Sequence, residues 1–160
     1  MKKLVVFYSY EGSTKLLAES IADAAGADML ELTPRKESNV RGFVKYFWLG
    51  KDVFFQKKPE LLDFDRQPED YDVIFIGTPV WAFTYTPAIR TFLEKQNIKG
   101  KRIALFCSYD GTKGKTIENM KKKLANNEIV GEKDFFRVRK NREKSISEAK
   151  KWAKEVLMKC

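Results

Sequence analysis

Residues 3–14 read KLVVFYSYEGST, an apolar run that ends in a short loop rich in hydroxyl groups. A helical pattern follows directly, with apolar residues repeating on one face. The first amide groups of a helix have no intrahelical partner and carry partial positive charge, so a strand that turns straight into a helix favours an anion. Gly12 lets the backbone approach the anion without a Cβ, and Ser9, Ser13 and Thr14 add hydroxyl donors. The stretch therefore predicts a phosphate loop and a phosphate-bearing cofactor.

The composition limits the class of protein. A chain of 160 residues, 43% of them hydrophobic, can bury one core and is short for two, so we expect one domain over residues 1–160. No apolar stretch reaches the ~18 residues of a membrane helix, and the first residues lack the pattern of a secretory leader. The positions of Cys107 and Cys160 do not suggest a disulfide framework, which favours a reduced, cytoplasmic protein.

The sequence contains no histidine. Catalytic triads that use histidine and metal sites that use imidazole are thereby excluded, and we expect neither a catalytic side chain nor a metal site. Acid–base chemistry would fall to a cofactor or to Tyr, Lys, Asp and Glu.

Strand-like and helix-like segments alternate along the chain. Runs that are apolar on both faces are typical of a parallel sheet covered by helices; they lie at Leu4–Tyr8, Met29–Leu32, Val73–Ile76, Ile103–Cys107 and, more weakly, Phe135–Val138. Segments with helical spacing lie between and after them. The alternation predicts a three-layer α/β sandwich with right-handed crossovers.

The loops after the third and fourth strands differ from ordinary turns. The third strand runs into Thr78–Ala82, which contains Trp81, and the fourth runs into Ser108–Gly111, which contains Tyr109. Ligands of open α/β sheets bind beyond the carboxyl ends of the strands, where the strand order reverses. We therefore expect the phosphate loop and these two loops to meet at one edge of the sheet.

In these regions the sequence resembles flavodoxin-like FMN-binding proteins. The loop SYEGST at residues 9–14 is similar to the family's hydroxyl-x-Thr-Gly-x-Thr phosphate loop. Residues 72–81 resemble its third strand and flavin-contacting loop, and residues 103–111 resemble its fourth strand and second flavin loop. The resemblance implies a flavodoxin-like three-layer sandwich, a five-stranded parallel sheet in the order 2-1-3-4-5 and noncovalently bound FMN.

The resemblance also implies which residues contact FMN. The phosphate would be held by Ser9, Gly12, Ser13 and Thr14 and by the backbone N–H groups of Tyr10 and Glu11. The isoalloxazine would lie beside Trp81, with Thr78, Pro79, Val80 and Ala82 along its edge and Ser108, Tyr109, Asp110 and Gly111 near its pyrimidine end. Aromatic walls suit a flat, amphipathic flavin because stacking adds to the area buried.

Two features depart from the family pattern. Glu11 stands where the family usually has threonine, and its carboxylate would weaken FMN binding unless it turned outward, toward Lys15. No glycine lies between Thr78 and Pro87, whereas the family's electron carriers often have one in this loop, where a peptide changes orientation on reduction. Turning a residue with a side chain to positive φ costs about 1 kcal/mol, which adds weight to two-electron chemistry.

The charge is a further departure, because flavodoxins that carry electrons are commonly acidic. This chain has 31 Lys and Arg residues against 22 Asp and Glu, a net charge of +9. A positive field favours an anionic reduced flavin and attracts an acidic redox partner protein or anionic molecules such as nicotinamide nucleotides. We interpret the basic runs at residues 121–123 and 137–144 as solvated surface and expect no nucleic-acid partner, since no stacking platform accompanies them.

Residues 38–62 are long for a plain crossover between strands. Val40, Phe43 and Phe47 repeat at helical spacing, and further aromatic residues follow. The pattern predicts a core-facing helix with a packed tail. The alternative is a flap or dimer surface that helps to cover the flavin, so the sequence leaves open whether the protein is a monomer or a homodimer.

Two functions fit these features. The favoured one is an electron-transfer carrier that passes single electrons to a protein partner, with Trp81 and Tyr109 shielding the flavin. The alternative is an FMN-dependent NAD(P)H:quinone-type oxidoreductase; in either case the flavin supplies the chemistry and the protein supplies orientation and electrostatics. A cofactor-free interaction module is a third possibility, if the phosphate loop has lost its ligand.

Overall fold

The architecture is a twisted parallel sheet between layers of helices, seen in a computed structural model that describes residues 1–35 and 58–160. Five parallel strands form one sheet in the order β2-β1-β3-β4-β5, which confirms the predicted flavodoxin-like topology. The strands are β1 Lys3–Phe7, β2 Asp28–Glu31, β3 Val73–Pro79, β4 Arg102–Tyr109 and β5 Glu128–Phe136.

The helices of the described residues connect and follow these strands. They are α1 Ser13–Ala25, α2 Pro87–Lys95, α3 Thr116–Lys123 and α4 Arg142–Leu157, with a 3₁₀ turn at Pro68–Asp70. α1 ends at Gly26, whose φ of 59° is the left-handed conformation common at helix ends. Within residues 1–35 and 58–160, no helix is both long and apolar enough to span a membrane.

Each strand contributes to two cores, because neighbouring side chains point to opposite faces of a sheet. On one face, Val6 is buried in a cluster that includes Phe92 of α2. On the other face, Val5 and Phe75 are buried with residues of α1 and α4. The Phe75 ring meets the Trp152 ring edge-on, with ring centroids 5.8 Å apart. Burial on both faces explains why the strands read as continuous apolar runs.

The fifth strand begins earlier than the sequence predicted. The apolar run Phe135–Val138 suggested a strand there, but β5 covers Glu128–Phe136 and stops before Val138. β5 is an edge strand whose buried residues are Val130 and Phe135, and the polar residues between them obscure the apolar pattern. Val138 therefore belongs to the turn that leads into α4.

The strand order reverses at β1, which has β2 on one side and β3 on the other. The loops that follow β1, β3 and β4 consequently open at the same edge of the sheet, as the switch-point rule predicted. The predicted helix containing Val40, Phe43 and Phe47 lies outside the described residues. Beyond that segment, Leu61 forms an isolated antiparallel bridge with Pro34.

Candidate functional site

A cleft opens where the three loops meet, with a cavity of about 210 Å³. It is lined by Ser9, Tyr10, Glu11, Ser13, Thr14, Pro79, Val80, Trp81, Ser108, Tyr109, Asp110, Gly111 and Val138. The cleft is thus lined by all but three of the residues that the sequence predicted to contact the cofactor. Gly12, Thr78 and Ala82 do not line the cleft, and Val138 is an addition.

The phosphate loop is organised around the Ser9 hydroxyl. Ser9 Oγ accepts hydrogen bonds from the backbone N–H groups of Gly12, at 3.2 Å, and Lys15, at 3.1 Å. Gly12 has φ 98° and starts α1, and its carbonyl accepts from the Leu16 N–H at 3.0 Å. The loop can make this turn because glycine adopts positive φ at little cost. The start of α1, where Ser13 and Thr14 line the cleft, therefore opens into it.

Thr14 ties this loop to the second loop at the base of the cleft. Its hydroxyl lies 2.8 Å from the Ser108 hydroxyl, and both residues are buried. Either hydroxyl can be the donor in this contact.

Glu11 is paired with Arg139, a partner that the sequence did not suggest. Glu11 Oε2 lies 3.8 Å from Arg139 Nη1, and Arg139 Nη2 donates a short hydrogen bond to the Glu11 carbonyl oxygen. Lys15 instead pairs with Glu31 of β2, at 2.9 Å. The pair reflects the fold, since Arg139 is distant in sequence and reaches Glu11 from the turn after β5.

Trp81 forms an aromatic wall of the cleft. Its ring meets Tyr8 edge-on, with centroids 5.5 Å apart, and Tyr10 at 5.9 Å. The Trp81 and Thr84 backbones exchange two hydrogen bonds, of 2.9 and 3.1 Å, so the loop folds back as a tight turn. Neighbours on both the β1 loop and its own turn therefore hold the indole in place.

The tip of this turn contains two residues with positive φ, Ala82 at 47° and Phe83 at 67°. The φ values match the left-handed conformation that the absence of glycine led us to regard as costly. Gly114 packs directly beneath Phe83, and the Lys115 N–H donates to the Phe83 carbonyl at 3.1 Å. The loop that contains Gly114 and Lys115 thus stabilises the left-handed turn. Ala82 is exposed at the tip and does not line the cleft.

Thr78 supports the same loop from below. It is fully buried, and its Oγ1 accepts a hydrogen bond of 3.2 Å from the Thr86 N–H while its hydroxyl donates to the Pro79 carbonyl at 2.8 Å. Thr78 therefore joins the two ends of the loop and shapes the cleft without lining it.

Tyr109 forms a second aromatic wall and is held by Asp134. The Tyr109 hydroxyl donates to Asp134 Oδ2 at 2.9 Å, and Lys113 Nζ lies 3.1 Å from Asp134 Oδ1. Burial, together with the hydrogen bond to Asp134, raises the pKa of Tyr109. Partial burial of Asp134 opposes its ionisation, yet hydrogen bonds from Lys113 and Tyr109 hold its pKa below the usual value. The phenol is thus a fixed, neutral ring rather than a proton donor to the cleft.

Cys107 lies on β4 close to this cluster. Its side chain is fully buried, and the loss of solvation raises the pKa of the thiol to about 12. The thiol therefore remains neutral and acts as an apolar part of the core.

The turn between β5 and α4 is the part of the site that the sequence did not reveal. The Arg137 N–H donates to the Tyr109 carbonyl at 2.8 Å, and Arg139 reaches Glu11. One turn thus connects the second loop to the phosphate loop. The sequence could have indicated this turn, because the loop after a fifth parallel strand opens at the same edge of the sheet as the other three loops. The predicted strand ran to Val138, however, and so included the first residues of the turn.

The family of this protein follows from the same order of elements. A family profile described as Flavodoxin matches residues 2–156. The chain belongs to the flavodoxin family. No curated protein sequence matches it.

Solved structures share the fold of this flavodoxin-family chain. A flavoprotein of Lactobacillus acidophilus NCFM, solved in complex with FMN, is 23% identical with a TM-score of 0.74, and the match covers 95% of this chain and 98% of that one. A candidate flavoprotein of Bacteroides uniformis ATCC 8492 is 20% identical with a TM-score of 0.81, over 96% and 97% of the two chains. Oxidised flavodoxin 2 of Bacillus cereus is 16% identical with a TM-score of 0.62, over all of both chains.

Proposed function

We propose that this flavodoxin-family protein binds FMN noncovalently in the cleft and serves as an electron-transfer carrier. The observation that carries the proposal is that one cleft is lined both by the polar loop at the start of α1 and by the aromatic residues Trp81 and Tyr109. A phosphorylated flavin has the same two parts, an anionic end and a flat ring. Family membership and the FMN bound by the Lactobacillus acidophilus flavoprotein support the same cofactor.

The residues of the cleft fit FMN chemically. Ser9, Ser13 and Thr14 line the cleft and offer hydroxyl groups to the phosphate. The amide groups of Tyr10 and Glu11 belong to the same loop. The helix start favours the negative charge.

The part of the cleft that would hold the isoalloxazine ring has both aromatic and polar lining residues. Trp81 and Tyr109 would lie beside the isoalloxazine, with Pro79 and Val80 along its edge and Asp110 and its neighbours Ser108 and Gly111 at the pyrimidine end. Thr78 and Ala82 would contribute indirectly, by setting the conformation of the loop that contains Trp81. When bound, FMN supplies the capacity to accept and donate electrons singly or in pairs.

The side chains near the ring favour a carrier over an enzyme. The Tyr109 hydroxyl is committed to Asp134, and Cys107 is a buried neutral thiol. Tyr109 lines the cleft and Cys107 lies behind it in the core, so neither group offers a proton to a substrate. The positive φ of Ala82 and Phe83 shows that this turn adopts the left-handed conformation without glycine, so the glycine-free loop does not argue against a carrier.

The partner we propose is an acidic redox protein in the cytoplasm. Phe83 is 65% exposed and lies in the Trp81–Thr84 turn, and Phe136 is 46% exposed and packs against Tyr109, so each neighbours a residue that lines the cleft. Exposed aromatic side chains at the mouth of a site are suited to docking, and a net charge of +9 would attract an acidic surface. A carrier of this kind needs no second copy of the chain.

The test begins with FMN added to the purified protein, followed by removal of free flavin by gel filtration. We expect a retained yellow protein. Under anaerobic conditions, excess NADH or NADPH should leave the flavin absorbance unchanged for many minutes, whereas dithionite should reduce it in two separable one-electron steps. Rapid bleaching by a nicotinamide, with recovery on addition of a quinone, would establish the oxidoreductase instead. A colourless protein after gel filtration would overturn FMN binding itself.

A further inference from the structure

We propose that Arg139 belongs to the phosphate subsite, where it neutralises Glu11 and fixes the Glu11–Gly12 peptide so that the phosphate of FMN can bind. This inference rests on the proposed function and extends it to a residue from a different part of the chain. It also explains how the loop tolerates a carboxylate at a position where the family usually has threonine.

Arg139 holds Glu11 at two points. Its Nη2 donates to the Glu11 carbonyl oxygen, and its Nη1 lies 3.8 Å from Glu11 Oε2. The carbonyl and N–H groups of a trans peptide point in opposite directions. Because the Gly12 N–H donates to Ser9 Oγ at 3.2 Å, Arg139 and Ser9 hold the Glu11–Gly12 peptide from opposite sides. The arginine therefore sets the orientation of a peptide at the centre of the phosphate loop.

The backbone that presents Arg139 is itself fixed to the cleft. The Arg137 N–H donates to the Tyr109 carbonyl at 2.8 Å, and the Arg137 carbonyl accepts from the N–H groups of Lys140 and Asn141, each at 3.0 Å. Val138, between the two arginines, is 1% exposed and lines the cleft. Arg139 is thus held in place by a turn anchored on both sides.

The charge of Arg139 lies beside that of Glu11, with Arg139 Nη1 3.8 Å from Glu11 Oε2. Glu11 lines the cleft, so its carboxylate would repel a phosphate dianion in the loop. Lys15, the basic residue nearest in sequence, pairs with Glu31 at 2.9 Å. Pairing with Arg139 cancels the charge of Glu11, and the effect should be seen only with a ligand that carries the phosphate.

Riboflavin provides the matched ligand, because it has the same ring and lacks the phosphate. We would measure the Kd of FMN and of riboflavin at low ionic strength by flavin fluorescence. The proteins are the wild type, Arg139→Gln, Arg139→Lys, Glu11→Gln and the double variant Arg139→Gln/Glu11→Gln. Arg142→Gln removes an exposed positive charge three residues further on and serves as the control.

We expect Arg139→Gln to weaken FMN binding about five- to tenfold, as for a partly exposed charge pair, and to change the Kd of riboflavin less than about twofold. Arg139→Lys should recover part of the FMN affinity. In the Glu11→Gln background the effect of Arg139→Gln should shrink to about twofold, because the repulsion is already gone. Arg142→Gln should change neither Kd by more than about twofold.

Other outcomes would overturn the inference. Equal weakening of both flavins by Arg139→Gln would make the arginine a purely structural residue. Additive effects of the two substitutions would show that Arg139 does not act through Glu11. An unchanged FMN affinity would exclude it from the subsite while leaving the proposed function intact, whereas a wild-type protein that binds neither flavin would refute the proposed function. If Arg139→Gln fails to fold, Arg139→Lys and Glu11→Gln complete the comparison.

Discussion

The Thr14 hydroxyl lies 2.8 Å from the Ser108 hydroxyl, a buried contact that joins the first turn of α1 to the end of β4. The two residues are 94 positions apart in the sequence, and their contact forms part of the base of the cleft. A hydrogen bond at this position should stabilise the fold and keep the phosphate loop aligned with the second loop.

Ser108→Ala should lower the free energy of unfolding by about 1–2 kcal/mol, because it leaves the buried Thr14 hydroxyl without this partner. Thr14→Val should have a similar cost, and the double variant should cost less than the sum of the two. Urea unfolding of the apo-protein measures all three values. Strict additivity would mean that the two hydroxyls do not interact.

Gly114→Ala should be much more destabilising than Gly100→Ala. Both glycines have positive φ, 53° and 66°, so each substitution costs about 1 kcal/mol in backbone strain. A Cβ at position 114 would also lie 2.3 Å from the Phe83 carbonyl oxygen, whereas nothing lies within 4 Å of one at position 100. Overpacking should add about 1–3 kcal/mol to Gly114→Ala alone, as measured by thermal or urea unfolding. Equal costs would show that the Phe83 turn moves aside freely.

Asp134→Asn should remove a part of the stability that depends on pH. Partial burial opposes ionisation, but hydrogen bonds from Lys113 and Tyr109 prevail and lower the folded pKa of Asp134. Its carboxylate therefore adds stability above the unfolded pKa, near 4, and the contribution is lost as the pH falls through the lower folded value. The wild type should exceed Asp134→Asn at pH 7 by less than about 1 kcal/mol and converge with it in strong acid. Tyr109→Phe should reduce the difference, and a difference independent of pH would contradict this account.

Trp81 should report directly on the cofactor. If FMN binds in the cleft, it should quench the emission of Trp81, and Trp81→Phe should abolish most of that quenching. Trp81→Ala should weaken FMN binding about tenfold through lost stacking and lost apolar contact. Trp152→Phe is the matched control, since Trp152 packs against Phe75 and Phe106 in the core; it should cost stability and leave the Kd of FMN within about twofold. Equal effects of the two tryptophans on the Kd would argue against the proposed cleft.

The sequence predicted the strand order and the meeting of three loops because those features follow from buried apolar runs and the switch-point rule. It misplaced β5, an edge strand whose polar residues obscure the pattern. It did not reveal that Arg139 pairs with Glu11, because ion-pair partners depend on tertiary distances and Arg139 lies 128 residues away. The left-handed turn at Phe83 could not be predicted from the sequence either, since Gly114, which packs against it, belongs to another loop.

Cys107 has a consequence for the durability of the protein. A thiol with a pKa of about 12 is ionised to about one part in 10⁵ at pH 7, and the thiolate is the form that reacts with oxidants and disulfides. Because its side chain is also fully buried, an oxidant has little access to the sulfur. A cysteine next to Ser108 of the cleft can therefore remain a neutral, unoxidised thiol.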